Sequence, residues 1–249
     1  MIYIKSRLEI ECMREAGKIA GGARALAASL CKPGVSMLDI DRKVHAYITR
    51  HKATPSFLNY GGFPNSVCIS INDVVIHGIP SERKLKEGDI VSIDVGALYK
   101  GFHGDCADTI PVGDVSDEAK KLIEVTRQSF FEGLKMAKEG NRLGDISNAI
   151  GTYAESFGYG VVDKYVGHGI GRELHEDPPV PNFGRAGHGI RLREGLALAI
   201  EPMINAGTRD VYVDDDKWTV HTADARLSAH YENTVVITGD EPIITTLVE

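Results

Sequence analysis

The chain has few cysteines, a single tryptophan, no basic run and no long uncharged apolar stretch. Its four cysteines, Cys12, Cys31, Cys68 and Cys106, form no Cys-x-x-Cys pair and are widely and irregularly spaced. That argues against a zinc ribbon or a disulfide framework, and buried free thiols are the simpler reading. No apolar run reaches the ~18–20 residues of a membrane span. The opening Met1-Ile2-Tyr3-Ile4-Lys5 lacks the basic start and apolar core of a signal peptide. A cytoplasmic location without membrane contact is therefore expected. The net charge of −7 and the missing basic cluster speak against a nucleic-acid surface. What is present is 249 residues, 43% hydrophobic and 25% charged, enough for one large domain with a full core. No linker or low-complexity segment divides the chain. Residues 1–249 are expected to form a single catalytic domain, with half-domains of about 1–112 and 113–249, and a monomer is the default.

The most informative feature is an internal repeat. Residues 85–94 read Leu-Lys-Glu-Gly-Asp-Ile-Val-Ser-Ile-Asp, and residues 192–201 read Leu-Arg-Glu-Gly-Leu-Ala-Leu-Ala-Ile-Glu, 107 positions later. Each copy is a turn, an apolar run of strand character, then a carboxylate. Further upstream, Lys32-Pro33-Gly34 with Asp39-Ile40 matches Lys138-Glu139-Gly140 with Asp145-Ile146 at an offset of 106, which Tyr47 and Tyr153 keep. The period is too long for a solenoid. It predicts two half-domains related by a pseudo-twofold axis. Glu-Gly before a strand is also common turn chemistry, but two matches in the same order favour duplication.

Local patterns fill in the halves. Ser6 with Glu9 is a capping box, followed by Cys12, Ala16, Ile19, Ala23, Leu26 and Leu30 at helical spacing. A second box is expected at Ser36 and Asp39, and Ile40, Val44, Tyr47 and Ile48 give the next helix its apolar face. Strands are predicted at about 66–72 and 89–97, a turn at 98–101, and a further strand to about Val112. The second half repeats this, with a helix over about 117–138 and another marked by Leu143, Ile146, Ile150 and Tyr153. Two helices followed by strands, done twice, is an α+β pattern with helices packed outside an antiparallel sheet.

Asp94 and Asp105 flank the predicted turn and would sit opposite or nearly opposite each other on adjacent strands. Like charges so placed destabilise a sheet unless something positive lies between them. Val91, Ile93 and Val95 mark a strand with a buried side, which disfavours a solvated edge. Glu201 ends the repeated strand, and Glu232 lies within Ala229-His230-Tyr231-Glu232-Asn233-Thr234-Val235. Four carboxylates converging on one seam cost several kcal/mol each without compensation, and two divalent cations would neutralise them. His168, within Gly167-His168-Gly169-Ile170-Gly171, is the plausible nitrogen donor. Oxygen-rich ligation with one imidazole suits Mn, Fe, Co or Zn. His77 and His175 share an x-His-x-x-Pro context, one in each half, and so read as acid–base candidates rather than structural histidines.

Together these residues, with Glu201-Pro202-Met203 and Tyr231-Glu232-Asn233-Thr234, make a chain that resembles type I methionine aminopeptidases along essentially its whole length. The resemblance implies the pita-bread fold and a two-metal site. Asp94 would chelate one ion, His168 and Glu201 the other, and Asp105 and Glu232 would bridge. It implies removal of the initiator methionine from peptides and nascent chains, with a small second residue preferred. A metal-bridged water would be the nucleophile, Glu201 the general base, His175 the oxyanion stabiliser and His77 an aid to proton delivery. The methionine pocket would lie around Tyr60, Phe63, Cys68 and Trp218, with the ribosome as the cellular setting. Phe57, Phe63 and Leu174 stand where many relatives carry Cys, Tyr and Phe, which bears on fine substrate and inhibitor preference. The competing readings are an X-Pro aminopeptidase or dipeptidase of the same fold, expected to carry an extra N-terminal domain; a non-catalytic fold-mate that binds, expected to have lost ligands; and a two-metal phosphoesterase, for which no Asn-His-Glu follows Gly104-Asp105.

Overall fold

Ser6 starts the first helix as its sequence context predicts. In this computed structural model, which describes residues 1–247, the Ser6 amide donates to Glu9 Oε2 at 2.9 Å and Ser6 Oγ accepts from the Glu9 amide. Helix α1 spans Arg7–Leu30, α2 Met37–Arg50, α3 Asp117–Met136 and α4 Leu143–Glu155. The second capping box is only half made. Ser36 Oγ accepts from the Asp39 amide at 3.1 Å, but Asp39 turns outward to Arg42 at 3.2 Å. The α2 end is secured by the chain instead, because the Met37 and Leu38 amides donate to the carbonyls of Arg83 and Ser81.

The duplication is visible in the element boundaries. Helices α1 and α3 end at Leu30 and Met136, and α2 and α4 begin at Met37 and Leu143; each pair is 106 residues apart. Strands Ile90–Tyr99 and Ala197–Ile200 begin 107 residues apart. Each half places its strand under its own helix pair. In the principal sheet the order runs Thr54–Pro55, Ile90–Tyr99, Phe102–Pro111, Glu232–Val236, Ala197–Ile200, Gly167–Gly169, Glu176–Val180. Cys68–Ile71 and Ile243–Ile244 pair at its flanks, and every pairing is antiparallel. The two halves therefore meet where Phe102–Pro111 pairs with Glu232–Val236.

Alternation then separates two faces. Val91, Ile93, Val95 and Cys106 join a core with Ile19, Ala20 and Ala23 of α1 and Ile40, Val44 and Ile48 of α2. Leu198, Ile200 and Val235 join Phe130 of α3 and Ile146 and Ile150 of α4. Asp94, Asp105, Glu232 and Glu201 occupy the intervening positions, facing away from the helices. Arg24 of α1 ties the back of the central strands together: its Nη1 donates to the carbonyls of Ala107 and Glu232 at 3.3 and 3.2 Å and to Asn233 Oδ1 at 3.2 Å.

Within the predicted turn at 98–101 the loop falls late. Tyr99 pairs with Phe102, so Lys100 and Gly101 form the loop. Both have positive φ, 49° and 78°, as a type I′ turn requires. Asp94 consequently faces Ala107 while Asp105 faces Gly96, and the two acids are diagonal neighbours on one face. Helix α1 crosses this strand very closely: a Cβ on Gly104 would lie 2.7 Å from backbone atoms of Gly17. Replacing Gly104 with Ala should therefore destabilise the protein by about 1–3 kcal/mol through overpacking. Urea melts of the variant check this, and an unchanged midpoint would contradict the close approach.

Candidate metal centre

The strand register brings the acids into rows. Cys68 pairs with Asp94, Asp94 with Ala107, and Ala107 with Glu232. Glu201 directly follows Ile200, the partner of Asn233, and so lies across from Glu232. In the next row, Asp105 bonds through its amide and carbonyl to Thr234 Oγ1, both at 2.9 Å, and His168 pairs with Ala199. His168 Nε2 stands 3.6 Å from Glu201 Oε1 and 4.0 Å from Asp105 Oδ2. Its Nδ1 donates to the Gly169 carbonyl at 2.9 Å, which leaves the Nε2 lone pair directed at the carboxylates.

This seam is built for cations. Among the described residues no Lys or Arg forms an ion pair with Asp94, Asp105, Glu201 or Glu232; only histidine nitrogens approach them. Asp94 Oδ1, Asp105 Oδ1 and Glu232 Oε1 are buried with no hydrogen-bond partner among the described residues, which is costly unless an ion supplies one. Two donor groups, Asp105–His168–Glu232 and Glu201–His230–Glu232, have ligand atoms close enough to share an ion. Burial first, and then the neighbouring acids, push Asp94 and Glu232 well above the ordinary carboxylate range. Glu201 rises for the same reasons, with Asp105 as its charged neighbour. Burial lifts Asp105 to about 7 even though Asp94 and the Cys106 amide pull it down. The histidines shift the other way. Burial, with His175 nearby, lowers His168 to about 3 and His77 to about 4.

All eleven residues singled out in the sequence line one cavity: Tyr60, Phe63, Cys68, His77, Asp94, Asp105, His168, His175, Glu201, Trp218 and Glu232. Phe57 and Leu174 line it too. Phe63 and Trp218 meet edge to face at 5.3 Å. His175 Nδ1 lies 2.7 Å from Tyr60 Oη. His77 sits at φ 58°, a conformation unfavourable for a non-glycine residue and often found at functional sites. Cys68 is 4% exposed, and burial followed by the nearby Asp94 pushes its thiol well above the ordinary range, so it is an inert wall and not a reactive nucleophile.

Two residues of this region were not singled out in the sequence. Tyr165 packs edge-on against His77 at 5.9 Å; an isolated aromatic in a loop carries no spacing signal. His230, 1% exposed, brings Nε2 to 3.7 Å from Glu201 Oε2 and 3.9 Å from Glu232 Oε2. Its signal was present, because residues 230 and 232 alternate onto one side of an extended segment.

Residues 11–239 match the metallopeptidase family M24. The chain belongs to metallopeptidase family M24. It is 55% identical to the methionine aminopeptidase of Clostridium acetobutylicum over 250 residues, covering the whole of both chains. The crystal structure of methionine aminopeptidase from Thermotoga maritima superposes with a TM-score of 0.98 at 44% identity, again covering both chains fully. The prolidase from Pyrococcus furiosus shares the fold at a TM-score of 0.80 and 26% identity, over 99% of this chain but 66% of the prolidase. The architecture is thus the pita-bread fold of M24, and the family implies a divalent metal.

The opposing shifts give a pH prediction. The acids have raised folded values, so their contribution to stability is complete below about pH 4 and is lost as pH rises through those folded values, about 7 for Asp105. The buried histidines are depressed; their contribution is present above about pH 6.5 and lost as pH falls towards their folded values of about 3 to 4. Between pH 4 and 6.5 the two oppose each other, and above 6.5 the acids act alone. Metal-free protein should therefore lose stability from pH 6.5 to 8, by about 1.4 kcal/mol per pH unit for each acid protonated only in the folded state. Metal-loaded protein should not. Paired melts across this range measure the difference, and parallel curves would contradict the buried acid cluster.

Proposed function

We propose that this chain is a metal-dependent aminopeptidase that removes N-terminal methionine from peptides and nascent chains, with residues 1–249 acting as one catalytic domain. The observation that carries the reading is one cavity lined both by four partly or fully buried carboxylates with His168 and by Phe57, Tyr60, Phe63, Cys68, Leu174 and Trp218. Asp94, Asp105, His168, Glu201 and Glu232 would hold two divalent ions, of Co, Mn, Fe or Zn. When bound, such ions supply Lewis acidity towards the peptide carbonyl and towards water.

The remaining chemistry belongs to the side chains. Glu201, whose carboxylate lies 3.6 Å from His168 Nε2 in the same cavity, accepts a proton from the attacking water. His175, oriented through Nδ1 by Tyr60, presents Nε2 to the developing oxyanion. His77 lines the same cavity, beside Trp218 at 6.3 Å, and assists proton delivery to the departing amine. The apolar wall accepts the thioether side chain, and the acids hold the free α-amine end. A small second residue is the expected preference, and nascent chains at the ribosome are the expected cellular substrates.

Three outcomes check this. Met-Ala-Ser should be cleaved only when metal is present, and Lys-Ala-Ser should not be; equal rates would remove the pocket assignment. Asp105→Ala and Glu232→Ala should abolish turnover together with metal content measured by elemental analysis. His175→Ala should lower kcat by on the order of 10²–10³ with little change in KM, whereas a rise in KM at constant kcat would make His175 a binding residue.

A further inference from the structure

We propose that His230 is a second imidazole donor to the metal centre, binding the ion that Glu201 and Glu232 share. This rests on reading those two acids as ligands. Glu201 lies between two histidines: Oε1 is 3.6 Å from His168 Nε2 and Oε2 is 3.7 Å from His230 Nε2. His230 Nε2 is also 3.9 Å from Glu232 Oε2. These separations are too long for hydrogen bonds, and His230 Nε2 is buried with no hydrogen-bond partner among the described residues. They fit donors on one ion: with bonds of about 2.1 Å, two ligand atoms lie roughly 3–4.2 Å apart. His168, at 3.6 and 4.0 Å from its acids, meets that criterion no better than His230 does.

The backbone holds His230 in place. Its amide donates to Thr109 Oγ1 and its carbonyl accepts from the same hydroxyl, both at 2.9 Å, and it pairs with Met203 in a separate small sheet. Tyr231 turns into the core against Phe130 at 5.2 Å, so His230 and Glu232 emerge on the opposite side. His230 is not among the residues of the cavity wall. It reaches the centre from the protein side, leaving the open side to water and substrate. A second nitrogen makes the site softer than four carboxylates and one imidazole, and favours Co, Zn or Fe over Mn or Mg.

The test is titration of metal-free protein with Co²⁺, followed by proton NMR for hyperfine-shifted imidazole signals and by chelator competition for affinity. Wild-type protein should show two ligated imidazoles. His230→Gln should show one, with Co²⁺ affinity reduced at least about 10-fold and Mn²⁺ affinity changed less. A single imidazole in the wild type overturns the proposal, as does a His230→Gln variant with unchanged spectrum and affinity, or one with weakened affinity but an unchanged imidazole count. The wild-type count decides the matter even if the variant does not fold. Wild-type protein that takes up no Co²⁺ would defeat the metal-centre reading as a whole; one that binds Co²⁺ through a single imidazole defeats only this inference.

Discussion

The structure is organised around a repulsion it cannot relieve with its own cations. Asp94, Asp105, Glu201 and Glu232 share one seam, and no lysine or arginine among the described residues pairs with them. The half-buried guanidinium of Arg24 donates to carbonyls and Asn233 behind the sheet. Burying uncompensated carboxylates costs several kcal/mol each, so the fold must either hold protons there or hold metal. Both options depend on the same strand register, which is why the glycine contact between α1 and the Phe102–Pro111 strand bears on function as much as on packing.

Duplication explains how such a site arises. Each half supplies a strand whose helix-facing residues belong to that half's own core, leaving the alternate residues free for the seam. Asp94 and Glu201 are the corresponding acids of the two copies. Asp105 and Glu232 come from the two strands that join the halves. The second half adds His168 and His175, and the first adds His77 and most of the apolar wall. Neither half alone assembles the full set of four carboxylates or the whole lining of the pocket.

Much of this was legible in the sequence because it rests on periodicities. The 106- and 107-residue offsets anticipate the paired ends of α1 and α3, the paired starts of α2 and α4, and the paired strand starts. The acids could be placed on one seam because strand alternation and a short turn constrain them. The exact diagonal of Asp94 and Asp105 could not be placed, since either Tyr99-Lys100 or Lys100-Gly101 could centre the turn; only the ladder chooses. The half-made cap at Ser36 reflects acceptors contributed by residues 81 and 83, distant in the local pattern. Tyr165 reaches His77 through loop geometry that leaves no spacing. His230 was overlooked because it stands beside a stronger signal, Glu232, and lacks the glycine frame that sets His168 apart.

The central claim is that the four acids form one buried, partly protonated cluster awaiting cations. Metal binding must then expel protons. Isothermal titration of metal-free protein with Mn²⁺ at pH 6.5, repeated in buffers of different ionisation enthalpy, measures that directly. The account predicts heats that change with the buffer and a net release of at least about one proton per chain. Tight binding with heats independent of the buffer, or no binding, would contradict it.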